Sequence, residues 1–223
     1  MYYVGMFRDR SEAGQKIADK LEQYKDSKDA MVIALPRGGV VIGYEISQRL
    51  HIPLDIISVR KIGHPQSDQF AIGAIDENGT MILNDTDAVA LDQKWLHDEI
   101  EREKAEAARR ILEYRGRKPM LSVEDKTVIL VDDGIATGHT MRLAIKVLKP
   151  MRPAKIIVAV PVSASDAVAE LKPEVDEIVT LEPPENFLGS VGAHYIVFPQ
   201  VEDAEVVRLL RFMHVEEKSK LDD

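Results

Sequence analysis

Residues 128–140 read VILVDDGIATGHT. Four apolar residues, Val128 to Val131, run directly into two carboxylates, Asp132 and Asp133. A loop of Gly, Thr and His follows and opens a helical stretch near 139–149. A short apolar run bounded by turn residues is the pattern of a strand buried on both faces, and a helix that follows it at once makes half of a βα unit. A turn needs only one Asp and the Gly. Two adjacent like charges at the end of a buried strand require a further reason.

The same rhythm extends outward. Ala13, Ile17, Leu21 and Tyr24 recur at helical spacing within 9–24, and MVIALP at 31–36 reads as a buried strand. PRGG at 36–39 breaks the pattern, a helix fits 40–50, and LDIISVR at 54–60 reads as the next strand. Further apolar runs at 127–131, 155–162 and 176–181 alternate with helical stretches near 139–149 and 164–172. Strands alternating with helices predict an α/β fold built on a doubly wound, mainly parallel sheet. One polar insertion at 91–118 interrupts this order. Its helix, 91–115, carries Leu96, Ile100, Ala107, Ile111 and Tyr114 on one side, with Asp98/Arg102 and Glu106/Arg110 spaced for i, i+4 pairs. No internal repeat or low-complexity segment is present, and the polar tail EEKSKLDD at 216–223 is expected to fray.

Composition narrows the functional classes. With 223 residues, 45% of them hydrophobic, the chain suits one α/β domain with its own core. The absence of Cys removes disulfides, thiolate metal sites and a Cys nucleophile, and fits a reducing compartment. MYYVGMFRDR lacks the basic and apolar regions of a signal peptide, and no apolar run approaches the roughly 18 residues of a spanning helix, so a cytoplasmic protein without a membrane partner is expected. A formal net charge of -9 argues against a broad nucleic-acid surface, so an anionic ligand must be held by a local pocket.

In open α/β sheets ligands bind beyond the carboxyl ends of the strands, where Asp132 and Asp133 fall. Gly134 and Gly138 let the backbone approach closely, and Thr137 and Thr140 supply hydroxyls where a helix starts. Amide groups at such a helix N-terminus suit a phosphate, and two carboxylates suit a neighbouring diol. A ribose phosphate has both parts. The sequence lacks the GK[ST] of a Walker loop and the GxGxxG of a dinucleotide turn at this position.

VILVDDGIATGHT resembles the signature of the type I phosphoribosyltransferases, which bind 5-phosphoribosyl 1-pyrophosphate with magnesium. FRDRSEAGQKIADKL, ALPRGGVVIGYEI, SVRKIGHPQSDQFAIGAI, the Arg-rich helix end, AVPVSA and ENFLGSVGAHY extend the resemblance over nearly the whole chain, to a group of bacterial and archaeal phosphoribosyltransferases predicted from sequence. The resemblance implies a single unit over 1–223, with the helical insertion at 91–118 and hood or lid elements at about 182–213. It implies that Asp132 and Asp133 hold the ribose hydroxyls and, indirectly, magnesium. Gly134, Ile135, Ala136, Thr137, Gly138, His139 and Thr140 would hold the 5′-phosphate. In LPRGG, Arg37 would supply charge to the pyrophosphate while Gly38 and Gly39 allow an unusual backbone, although an ordinary strand-to-helix turn would use the same glycines. Arg60 and Lys61, delivered to a strand's carboxyl end ahead of the polar loop GHPQSDQ, would neutralise pyrophosphate as that loop closes.

The acceptor end is less defined. Where hypoxanthine and guanine enzymes carry an Asp, this chain has Ala136, nearer the adenine-type loop, so a general acid or base must come from elsewhere, with Glu77, His64 and His139 as candidates. Gln69 stands where relatives often carry Glu. Arg110 and Arg115, in RRILEYRGRK, are candidates to face a phosphate, and Phe187 or Tyr195 to stack a base, though packing under a lid explains the aromatics equally. Trp95 is read as a contact with the core or with a second subunit of a homodimer. The expected activity is phosphoribosyl transfer to a nitrogen acceptor, a nucleobase, with release of pyrophosphate. A non-catalytic sensor of the same ligand is the alternative, and a diphosphokinase fits less well because its ATP site and duplicated chain are missing.

Overall fold

The computed structural model describes residues 6–65, 67–83 and 88–219, and the side chains of these except 67–71, 82 and 214–219. The side chain of Gln69 and residues 220–223 of the tail therefore lie outside the described parts. In chain order the elements are α1 (Arg10–Lys20), β1 (Ala30–Ala34), α2 (Gly38–Leu50), β2 (Leu54–Ile56), β3 (Arg60–His64), β4 (Ser67–Ile75), β5 (Met81–Leu83), α3 (Gln93–Arg115), β6 (Thr127–Val131), α4 (His139–Leu148), β7 (Lys155–Val160), α5 (Ser165–Leu171), β8 (Glu177–Thr180) and α6 (Asp203–Ser219).

The apolar runs pair as a five-stranded parallel sheet in the order β2-β1-β6-β7-β8. Period-two alternation divides each strand between two cores. On β1, Ala30, Val32 and Ala34 face a cluster shared with α1, α2 and α6, while Met31 and Ile33 face a cluster shared with α4 and α5. Strands buried on both sides are therefore largely apolar, and the mainly parallel, doubly wound expectation holds.

A difference appears at 54–60. Pairing with β1 ends at Ile56, opposite Ala34, because β1 itself gives way to the Pro36 loop and offers no further partner. The chain turns, and Arg60 opens a separate antiparallel sheet, β3-β4-β5, whose core is Ile62, Ile72 and Ile75. Trp95 and Leu96 of α3 pack on that core, so the inserted helix covers the small sheet. Its far end joins the main core through Ile111 and Tyr114.

The N-terminal segment and the stretch before α6 also meet. Phe7 N–H donates to His194 O at 2.8 Å, and Ile196 N–H donates to Phe7 O at 2.8 Å, which lays residues 194–197 along 7–8 above the carboxyl edge of the sheet.

Candidate active site

Strand order reverses at β1/β6. α2 leaves β1 toward one face and α4 leaves β6 toward the other, opening a crevice between the two loops. Leu35 N–H donates to Val131 O at 3.0 Å, holding the loops together. The Pro36–Arg37 peptide bond is cis. Gly38 and Gly39 are required here for room. A Cβ at Gly39 would lie 2.8 Å from Val131 O and 2.9 Å from Asp132 Cα, and one at Gly38 would lie 2.0 Å from Asp133 Oδ2. Both residues begin α2 without a positive φ, and close approach to the acidic pair is a reason for the glycines beside the cis bond that precedes them.

Three contacts fix the acidic pair. Asp133 N–H donates to Asp132 Oδ1 at 2.8 Å. Arg10 Nε donates to Asp133 Oδ2 at 2.7 Å, and Tyr195 Oη donates to Asp133 O at 2.6 Å. Burial raises the Asp132 carboxyl well above its usual range, and the neighbouring Asp133 charge pushes the same way. Burial also raises Asp133, with the Arg10 guanidinium opposing it. A pair in this condition gains from hydroxyl donors or a shared cation. Arg10 is the residue that motif reading missed: FRDR was part of the resemblance, but its spacing from Asp133 along the chain gave no signal of contact.

The loop after the pair divides its groups. Ile135 is 3% exposed, its N–H donates to Val162 O at 2.9 Å and its carbonyl accepts from Ala164 N–H at 2.9 Å, so this residue anchors the loop to the segment after β7. Ala136, Thr137, His139 and Thr140 are exposed or partly so. Gly134 is closed over by Val191 and Val162, whose methyls would lie 2.6 Å and 2.8 Å from a Cβ there. Gly138 sits at φ 73 before α4, and no side chain caps that helix, leaving its first amides open toward an anion. A Cβ at Gly138 would point at Ala167, 3.3 Å away, toward the core.

The other candidates are more dispersed. Arg37 lies in the crevice loop, 3.6 Å from Asp203, which also accepts from Tyr114 Oη at 2.5 Å. Arg60, on β3, donates to Glu103 of α3 at 2.7 Å, and Lys61 beside it is exposed. His64 ends β3 opposite Ser67. Arg110 pairs with Glu106 at 2.9 Å, whereas Arg102 joins Glu99 and Glu103 in place of Asp98. Glu77 and Arg115 are spent on each other at 2.6 Å, with side chains 4% and 5% exposed, and Arg115 also contacts Asp55. That burial removes Arg115 from any phosphate and leaves Glu77 without an open face for acid–base work. Phe187 stacks on His194 with centroids 5.4 Å apart, and Tyr195 is 4% exposed with its hydroxyl spent on Asp133 O, so its ring packs rather than offering a face to a base.

Among the described residues, no cluster of three or more His, Cys, Asp or Glu side chains is arranged to hold a metal by itself. Two adjacent carboxylates suit magnesium that keeps waters and takes most of its ligands from a phosphorylated substrate. Among the described residues, no helix is long and apolar enough to cross a membrane.

The profile of the phosphoribosyl transferase domain matches residues 5–195. Candidate phosphoribosyl transferases from two strains of Mycobacterium tuberculosis are each 37% identical over 217 residues, covering 94% of this chain and 47% of theirs. The chain thus spans about half the length of the curated relatives it matches. The crystal structure of TT1426 from Thermus thermophilus superposes with a TM-score of 0.81 at 38% identity, covering 92% of this chain and 97% of that one.

Proposed function

The chain belongs to the phosphoribosyl transferase domain family, and from that premise we propose that it transfers the 5-phosphoribosyl group of 5-phosphoribosyl 1-pyrophosphate to a nitrogen acceptor, a nucleobase, releasing pyrophosphate. The observation that carries this reading is the crevice at the strand-order reversal, where the glycine loop after β1 abuts the acidic pair after β6 beside the uncapped N-terminus of α4. In this reading residues 1–223 act as one unit, and the helical insertion at 91–118 and the hood at about 182–213 belong to it.

The residues divide the substrate between them. The segment 136–140 and the α4 N-terminus receive the 5′-phosphate, Asp132 and Asp133 accept from the ribose hydroxyls, and Arg37 with Gly38 and Gly39 flank the pyrophosphate. Arg60 and Lys61 approach the pyrophosphate from the β3-β4 hairpin. Asp132 and Asp133 would hold magnesium indirectly, and when bound it would supply positive charge to offset that developing on the leaving group. As the bond from the anomeric carbon to pyrophosphate breaks, the acceptor nitrogen bonds to that carbon and its proton passes to solvent. The residues stabilise the intervening oxocarbenium-like state by fixed charge and hydrogen bonds. The same reading takes a cytoplasmic setting and a homodimer, the latter tested by sedimentation.

A sensor that binds the ligand without turnover is the second reading. It is favoured by Ala136, which offers no base, and by the engagement of Arg60 with Glu103. Pyrophosphate release from 5-phosphoribosyl 1-pyrophosphate and magnesium, across purines, pyrimidines and small amines, separates the two. Release tied to one acceptor, lost in Asp132→Asn/Asp133→Asn, supports the transferase. Binding without release from any acceptor supports the sensor, and no binding overturns both.

A further inference from the structure

Arg10 stands at the start of α1, 8% exposed, in a segment that the assignment of ribose and phosphates leaves without a role. It is clamped from three directions. Nε donates to Asp133 Oδ2 at 2.7 Å, Nη1 donates to Pro199 O at 2.7 Å, and Cζ lies 3.7 Å from the centre of the Phe198 ring. The guanidinium is therefore a fixed, always charged group held in place by the protein alone.

Its contact is part of the crevice itself. A Cβ at Gly38 would lie 3.1 Å from Arg10 Nε as well as 2.0 Å from Asp133 Oδ2, so the ion pair runs directly against the first glycine of the loop after β1. Asp133 also has its main chain held from both sides, by its own N–H on Asp132 Oδ1 and by Tyr195 Oη on its carbonyl. Only the carboxylate torsions remain to be set, and Arg10 sets them.

We propose that Arg10 is a positioning residue of the phosphoribosyl site: by pinning one oxygen of Asp133 it leaves the remaining oxygens of the acidic pair to the ribose diol. It acts through Asp133 and not on the substrate, from beneath the crevice. The inference rests on the phosphoribosyl reading above and deepens it. The two carboxylates become unequal: Asp133 is fixed by a protein cation, whereas Asp132 Oδ1 accepts from the main-chain N–H of Asp133.

The test uses the full chain. Calorimetry measures binding of 5-phosphoribosyl 1-pyrophosphate with magnesium in wild type, Arg10→Gln and Arg10→Lys. In Arg10→Gln affinity should fall about tenfold. The loss should be partly restored by Arg10→Lys. In an Asp133→Asn background, removing Arg10 should change affinity by less than about twofold, as coupled partners require.

A folded Arg10→Gln that keeps wild-type affinity would overturn the proposal, and so would an equal loss in the Asp133→Asn background. If Arg10→Gln does not fold, Arg10→Lys decides by the same comparison: a loss of affinity that vanishes in the Asp133→Asn background supports the role and an unchanged affinity ends it. Wild type that binds no 5-phosphoribosyl 1-pyrophosphate would sink the phosphoribosyl reading, a result distinct from binding that ignores Arg10.

Discussion

Arg60 donates through Nε to Oε2 of Glu103 at 2.7 Å, so a cation expected to serve pyrophosphate is held by the inserted helix. Glu103 is 5% exposed and takes Arg102 as well, so it keeps a cationic partner when Arg60 moves. Reaching pyrophosphate then means exchanging one anion for another. A partly exposed ion pair contributes roughly 0.5–1 kcal/mol, so Glu103→Gln should tighten pyrophosphate binding about 2–5-fold by calorimetry. Unchanged affinity would show that Arg60 stays on α3 when pyrophosphate is bound.

Much of this arrangement was legible in order along the chain. Apolar runs identified the parallel strands because burial on both faces leaves no room for polar alternation, and the loops 36–39 and 132–140 announced themselves by glycine and charge. What stayed hidden depends on contacts distant in sequence. LDIISVR reads as one strand, yet whether Arg60 continues β2 is settled by where β1 stops, which those residues do not contain. Arg115 is in sequence one of several clustered cations, and only folding places Asp55 and Glu77 around it. Arg10 is concealed for the same reason, since a lone Arg in a first helical turn looks like any solvated charge.

The Asp55–Arg115–Glu77 cluster joins the edge strand β2, the small sheet and the end of α3. Leu121 N–H also donates to Asp55 at 2.7 Å. Arg115→Met would leave two buried carboxylates facing each other. Breaking a buried pair in this way typically costs about 3–5 kcal/mol, and urea unfolding should show a loss of that size. A loss below about 1 kcal/mol would mean that water reaches the cluster.

Gly38→Ala tests the crowding at the crevice. A methyl 2.0 Å from Asp133 Oδ2 and 2.6 Å from its Cγ must displace the carboxylate or the loop. Overpacking of this kind costs roughly 1–3 kcal/mol. Binding of 5-phosphoribosyl 1-pyrophosphate should weaken by more than about tenfold, because a displacement of about an ångström at a positioning site is felt at that scale. Retained affinity would show that the loop moves away from Asp133 when ligand binds.

His194 should give the segment that links Leu188 to Tyr195 an acid-sensitive component. Its Nε2 accepts from Leu188 N–H at 2.9 Å, a role open only to the neutral ring, and burial lowers its proton affinity below the ordinary 6.5. As pH falls, the unfolded chain takes up this proton first. The contribution is therefore whole above 6.5 and is lost as pH drops from there toward the folded value. His194→Gln titrates nowhere in that range, so the difference in melting temperature between the two proteins should favour wild type more at about pH 7.5 than at about pH 5. A constant difference would show that the ring stays neutral in both states.

The acidic pair carries the opposite sign. Burial and mutual repulsion raise the Asp132 carboxyl well above 3.8, so the folded chain binds that proton more readily than the unfolded one. Its contribution is fully present below the unfolded value and is lost as pH rises through the folded one, which makes the ionised pair a liability near neutrality. Asp132→Asn removes that liability. It should melt higher than wild type at about pH 7.5 and show no such gain near pH 3.5, each kcal/mol relieved appearing as about 2–4 °C in a chain of this size. In the proposed site the same substitution would replace a charge-assisted hydrogen bond to the ribose, a contribution of roughly 1.5–3 kcal/mol, so affinity should fall by about 10–150-fold. Higher stability with lost binding is the signature of a residue kept for ligand at the expense of the fold. A lower melting temperature at neutral pH would instead assign Asp132 a structural partner and remove it from the ribose.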